Sequence, residues 1–211
     1  AALRQGRQQV AAGQPAHHAP VFDDGNVVLG AAQHELAGAP QEQIARLCSG
    51  LGTLYDFNQR EDQAAALYER AIGIYEGMKP PCSELAAELH NNLAMIYKSL
   101  GRHPLAEQHY LVALEALENL HGRNHERVAA VYNNLGSLYY TANYPEQAKD
   151  MHTEALEIRQ DVLGPNHPDV GGRAASLAFW LIEEGEFAEA SALVEEALNI
   201  RRQALGPKHP Q

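Results

Sequence analysis

Basic residues are scarce in this sequence: 16 Lys and Arg stand against 27 Asp and Glu, for a formal net charge of −11. Binding to nucleic-acid phosphates or to anionic lipid depends on clustered Lys and Arg, and no basic stripe is present. Nucleic acid and membrane are therefore not expected partners. Cysteine is nearly absent, with only Cys48 and Cys82. Two thiols are too few for a disulfide framework and fit a reducing compartment, so a cytoplasmic location is expected. Long apolar runs are missing as well. The longest candidate, AASLAFWLI from Ala174 to Ile182, falls far short of the ~20 residues that cross a bilayer. The sequence does not open on Met, nor on a charged segment followed by an apolar core, so no signal peptide is read there and the start is expected to be a boundary.

Chemistry-bearing motifs are equally sparse. Neither cysteine sits in an activating motif, and no GxSxG or phosphate-cradling glycine loop occurs. Eleven histidines invite a metal reading, and His121 and His125 have the i, i+4 spacing of a zinc helix, but Gly122 falls between them. His125, His167 and His209 recur at one period, which sets them too far apart to share an ion. The expectation is a chain that is not an enzyme, with no catalytic residue, metal or cofactor.

What the sequence does have is a stride. GLGTLY, NLAMIY, NLGSLY and SLAFWL align on Leu51, Leu93, Leu135 and Leu177, each 42 residues after the last, with no insertion. One place on stand Gly52, Ala94, Gly136 and Ala178; four places on stand Tyr55, Tyr97, Tyr139 and Leu181. Alanine recurs at 64, 106, 148 and 190, and again at 71, 113, 155 and 197, with Tyr68, Tyr110, His152 and Val194 between the two columns. Spacings of three, four and seven mark amphipathic helices. Fixed alanines let two helix backbones approach closely, so each unit reads as a helical hairpin.

The stretch LGPNHPDV, Leu163 to Val170, is then a joint between units. Glycine at 122, 164 and 206 can take the left-handed conformation that ends a helix, and Pro165 and Pro207 cannot continue it. His167 or Asn166 is the expected cap of the next helix, with Pro168 in its first turn and Asp169 near the positive end of its dipole.

The Leu, Gly or Ala, Tyr, Ala, aromatic, Ala series, with NNLA or NNLG before the tyrosine and LGPNHPDV at the joint, resembles the tetratricopeptide repeat in its 42-residue kinesin-light-chain-like form. The resemblance runs from about Gln41 to Gln211. It implies an all-α, right-handed α-solenoid of antiparallel helix hairpins. The expected repeats are 41–82, 83–124, 125–166 and 167–211, preceded by an arm or partial helix at 1–21 and a degenerate half repeat, the second helix only, at 22–40. That half repeat is read from LAGAP, three strides before VLGPN. Pro80, Pro81 and Cys82 replace the glycine joint of the first unit, so its second helix is expected to end differently. The chain stops at LGPKHPQ, where a fifth unit would start, and we expect a piece of a longer protein.

The resemblance further implies a concave groove, lined by the first helices, that binds an extended protein or peptide segment. Its candidate residues are Asn91, Asn92, Met95, Lys98, Asn133, Asn134, Ser137, Tyr140 and Phe179. An asparagine amide pairs with any peptide backbone because it both donates and accepts. In related grooves the column of Asn92 and Asn134 has that role; the alternative is that these amides bond neighbouring helices or loops. Met95, Tyr140 and Phe179 supply apolar contact, and Lys98 and Arg46 are the few cations placed for an acidic group in a mostly neutral groove. Trp180 shares the column of Leu54, Ile96 and Leu138 and is expected in the core. Two functions remain open: a peptide-binding scaffold, or an assembly element that forms homo-oligomers through open repeat ends.

Overall fold

The computed structural model describes residues 40–78 and 83–205, which belong to one compact unit beginning at Ala39. The readings placed on 1–21, on 22–39, on Pro80, Pro81 and Cys82, and on the last joint at Gly206 and Pro207 lie outside the described residues. Eight helices follow one another among those residues, without a strand: α1 Gln41–Phe57, α2 Glu61–Gly77, α3 Ser83–Ser99, α4 His103–His121, α5 Glu126–Thr141, α6 Pro145–Leu163, α7 Pro168–Glu183 and α8 Phe187–Leu205. Each odd-numbered helix packs on the even-numbered one after it, and each pair packs on the next. This is the all-α solenoid of helical hairpins that the stride predicts.

Local chemistry sets the helix ends. Proline occupies the first turn of α4, α6 and α7, where its missing N–H would have had no helical partner. His167, not Asn166, caps α7: its Nδ1 accepts a hydrogen bond from the Asp169 amide at 3.2 Å. His125 caps α5 in the same way, accepting from the Arg127 amide at 3.2 Å. Gly122 and Gly164 do adopt positive φ, 82° and 86°, but with ψ of 165° and 150° they are extended rather than left-handed helical. That region is open to glycine almost alone, which explains glycine at the joint even though the expected conformation was different. Inside the hairpins the chain turns through positive φ at Gln59, Gly101, Asn143 and Gly185, again one stride apart.

Packing follows the columns. Ala64, Ala106, Ala148, Ala71, Ala113 and Leu93 are fully buried, and Leu135 and Leu138 nearly so. Where the column after the leucine is glycine, a bulky ring fills the space opposite: a Cβ on Gly52 would lie 2.8 Å from the Tyr68 ring, and one on Gly136 2.8 Å from the His152 ring. The tyrosine four places on also ties helices together. The Tyr139 hydroxyl donates to Glu107 at 2.6 Å, and the Tyr97 hydroxyl donates to Glu69. Burial, reinforced by these carboxylates, pushes both phenols up to about 12. Ile96, Leu138 and Trp180 are buried as their column predicts, whereas Leu54 is 57% exposed. It lies on α1, the first described helix, and no described helix precedes α1 to cover it.

Candidate peptide-binding groove

The first helices of successive hairpins lie side by side and are tied to each other by polar groups. Arg127 on α5 reaches back to Glu84 and Glu88 on α3, at 2.8 and 2.6 Å. Asn134 Nδ2 donates to Asn91 Oδ1 across the same seam at 2.9 Å. Asn91 Nδ2 in turn points to Asn92 Oδ1 at 3.4 Å and to the Met95 sulfur at 4.0 Å. Thus Asn91, Asn92, Met95 and Asn134 come together on neighbouring helices. All three amides are half-buried, and a cleft of about 200 Å³ runs beside them, lined by Asn91, Asn92, Arg127 and Val131 among others. One N–H of Asn134 braces Asn91, which leaves its side-chain oxygen and the Asn92 amide nitrogen without a hydrogen bond among the described residues.

A second cleft, of about 310 Å³, opens between α5, α6 and α7. It gathers Asn133, Ser137, Tyr140 and Phe179. Met95 and Tyr140 are each 46% exposed and Phe179 66%, so three large apolar side chains stand open on α3, α5 and α7. Trp180 is buried and also walls this cleft, its ring edge-on to Tyr140 with centroids 6.1 Å apart. Lys98 lines neither cleft. Arg46 is exposed and pairs with Glu42 on its own helix at 2.6 Å.

The cations that do line the second cleft, Arg159 and Arg173, were not singled out from the sequence. A signal for Arg159 was present: its column holds Tyr75 and Leu117 in the preceding units, both buried. The column goes on to an exposed arginine, Arg201, in the last unit, whereas Arg159 is only 7% exposed. Burial, followed by the like charge of Arg173, lowers its affinity for a proton, while Glu126 and Asp169 act in the other direction.

The same signal marks a histidine pair at the seam of the first two hairpins. His109 replaces Leu67 of the unit before, and His90 replaces Cys48. Their Nδ1 atoms lie 2.8 Å apart, so one must donate and the other accept, and His90 Nε2 faces Glu76 at 3.1 Å. Tyr97 stacks on His109 from α3. Burial, then His90, holds the His109 imidazole below its usual pKa, against the pull of Glu69 and Glu76. His152 is held low by burial and then by Arg173. A histidine depressed by folding binds fewer protons than in the unfolded chain, so its contribution is complete above ~6.5 and is lost as the pH falls through the folded value. The melting temperature is expected to drop from about pH 7.5 to about pH 5.5, and to drop less in His109→Gln. A melting temperature that stays level across that window would contradict the pair's geometry.

His121 and His125, set apart in the sequence by Gly122, meet in the structure with rings stacked 4.2 Å apart, and His121 faces Glu84 at 3.4 Å. Among the described residues no group of three or more His, Cys, Asp or Glu is placed to hold a metal ion. No helix there is long and apolar enough to cross a membrane. The Cys48 thiol is buried, which raises its pKa.

Helical hairpins at a fixed stride, braced through their first helices, define a repeat-built interaction scaffold. Models of the tetratricopeptide repeat match residues 45–77, 85–161 and 172–211. The chain belongs to the tetratricopeptide repeat family, in its kinesin-light-chain-like form. It is similar to BtubC (BKLC) from P. vanneervenii, 34% identical over 90% of this chain and 77% of that one, with a TM-score of 0.71. A kinesin-light-chain-type protein of nearly identical TPR-like repeats from Podosopora anserina superposes with a TM-score of 0.70 at 18% identity, covering 86% of this chain and 87% of that one. MamA superposes with a TM-score of 0.59 at 16% identity, over 86% of this chain and 91% of that one. Among curated proteins none matches. Repeats of this family generally serve as non-catalytic scaffolds that bind protein partners.

Proposed function

We propose that this chain is a cytoplasmic protein-interaction scaffold that binds a peptide segment of a partner along α3, α5 and α7, without catalytic, nucleic-acid or membrane function of its own. One observation carries the reading: Met95, Tyr140 and Phe179 stand exposed on the first helices of successive hairpins, beside half-buried asparagines whose hydrogen bonding is only partly used. Apolar contact supplies most of the affinity, since micromolar binding needs roughly 8 kcal/mol and each amide hydrogen bond adds about 1. The amides set the register of the segment. Arg127 and Ser137 stand at the two clefts as further polar contacts, while Lys98 belongs to the groove only through its helix.

The test is a selection of unmodified random peptides on the whole chain, followed by affinity measurement. Asn92→Ala with Asn134→Ala is expected to weaken the selected peptides roughly tenfold to thirtyfold, as loss of two hydrogen bonds requires. Asn91→Ala removes the brace yet keeps both binding amides, so it should bind more nearly as the parent does. Equal weakening by Asn91→Ala would assign the amides to the scaffold rather than to the groove. A second reading, self-assembly, draws on Leu47, Leu54 and Phe57, which are 49%, 57% and 85% exposed on α1. It requires light scattering to show growth with concentration that the asparagine changes leave untouched.

A further inference from the structure

The cleft between α5, α6 and α7 is lined by the guanidinium groups of Arg159, which is buried, and of Arg173, which is exposed. Arg159 is 7% exposed, and neither it nor Arg173 makes a hydrogen bond or ion pair with any described residue. Buried arginine is rare unless it is paired, because an unpaired charge in the interior costs several kcal/mol. The scarcity is local. The chain carries an excess of acid, yet Glu126 and Asp169 reach Arg159 only through longer-range attraction, and the one carboxylate at the cleft wall, Glu183, is exposed.

The remaining polar lining also donates. The indole N–H of Trp180 is buried without an acceptor. The Asn133 amide and the Ser137 hydroxyl also line it, beside Ser176, whose hydroxyl donates to the Gly172 carbonyl at 3.1 Å, and His152 is held below its usual pKa by burial and then by Arg173. Two guanidiniums with an amide and a hydroxyl beside them offer more donors than the two oxygens of one carboxylate can take up. A phosphoryl group has three terminal oxygens and close to two negative charges at neutral pH, and arginine engages it in a bidentate way.

We infer that this cleft is a phosphoryl receptor, taking a phosphorylated serine or threonine side chain of the partner segment onto Arg159 and Arg173. The inference rests on the groove reading above. Position argues for a side chain rather than a free ion: Asn133, Tyr140 and Phe179 place the mouth of the cleft beside the exposed apolar groups, so a segment lying along them passes over it. Burial argues the same way, since Arg159 is only 7% exposed and a projecting side chain enters a cleft more readily than a main chain does. A scaffold built so would respond to the phosphorylation state of its partner.

The test uses the whole chain and pools of end-blocked peptides, random except for a central phosphoserine, serine or glutamate. Trp180 is the sole tryptophan, so its fluorescence and indole N–H resonance report on this cleft. The phosphoserine pool is expected to bind at least tenfold more tightly than the serine pool and to shift the indole signal. Arg159→Gln is expected to abolish that difference while leaving serine-pool binding in place. Removing an unpaired buried charge should also raise the melting temperature of the ligand-free Arg159→Gln protein. The phosphoserine pool should raise the melting temperature of the parent protein more than that of the variant.

Equal binding of the phosphoserine and serine pools, or an Arg159→Gln protein that keeps the preference, overturns the inference and leaves the groove reading intact. A glutamate pool as tight as the phosphoserine pool reduces the cleft to a general acid site and overturns the phosphoryl assignment. Inorganic phosphate binding as tightly as the phosphopeptides overturns the side-chain assignment. Failure of every pool removes the groove reading together with this one.

Discussion

Leu135→Ala is expected to lower the unfolding free energy by roughly 2–5 kcal/mol, whereas Phe179→Ala should change it by no more than about 0.5 kcal/mol. Both residues lie on the first helix of their hairpins, and both are large and apolar. Their surroundings differ. Leu135 is 1% exposed in the second-last described hairpin, with neighbours on both sides, so its removal leaves a cavity that flanking helices cannot fill without breaking the stride. Phe179 is 66% exposed and its truncation leaves no void. Denaturant titration of the two variants measures the contrast, and binding of selected peptides should show the opposite order. If Phe179→Ala proved as destabilising as Leu135→Ala, the exposed apolar groups would belong to the core and the groove would lose its apolar floor.

That contrast shows how much of the molecule was legible beforehand. The leucine and alanine columns specify which side chains are buried, because a constant stride forces equivalent residues into equivalent surroundings, and neighbouring hairpins then repeat one another's contacts. Departures from a column are where sequence reading missed most. Arg159, which follows Tyr75 and Leu117 in a column that ends on Arg201, His109 in the column of Leu67, and His90 in that of Cys48 are the residues that give this array its own chemistry. Each was visible as an exception, but its partner was not. Only folding shows that His90 meets His109, that Asn134 spends an N–H on Asn91, or that Arg159 faces Arg173. Positive φ at Gln59 and Asn143 was hidden for a related reason, since only the equivalent Gly101 and Gly185 announce such a backbone by residue type.

The pairing of Gly136 with His152 carries the second large prediction. The column after the core leucine alternates Gly52, Ala94, Gly136, Ala178, and the facing column reads Tyr68, Tyr110, His152, Val194. A methyl group on Gly136 would sit 2.8 Å from three atoms of the His152 ring, closer than any relaxed carbon contact. Ring atoms so near the backbone cannot yield as the end of a long flexible chain would, and His152 is enclosed by the cleft wall. Overpacking of this kind costs about 1–3 kcal/mol. Alanine gains about 1 kcal/mol over glycine in a helix interior, so Gly136→Ala should lose stability by the remainder, up to about 2 kcal/mol. Valine at 152 removes the ring atoms that the new methyl group would meet. Gly136→Ala combined with His152→Val should therefore be more stable than Gly136→Ala alone, with a favourable coupling of about 1 kcal/mol or more in the double-mutant cycle. The double variant should also lose the part of the acid sensitivity that comes from His152, whose pKa burial and Arg173 hold down. Independent effects in that cycle would mean that ring and helix do not compete for the same space, and glycine in this column would then need another cause.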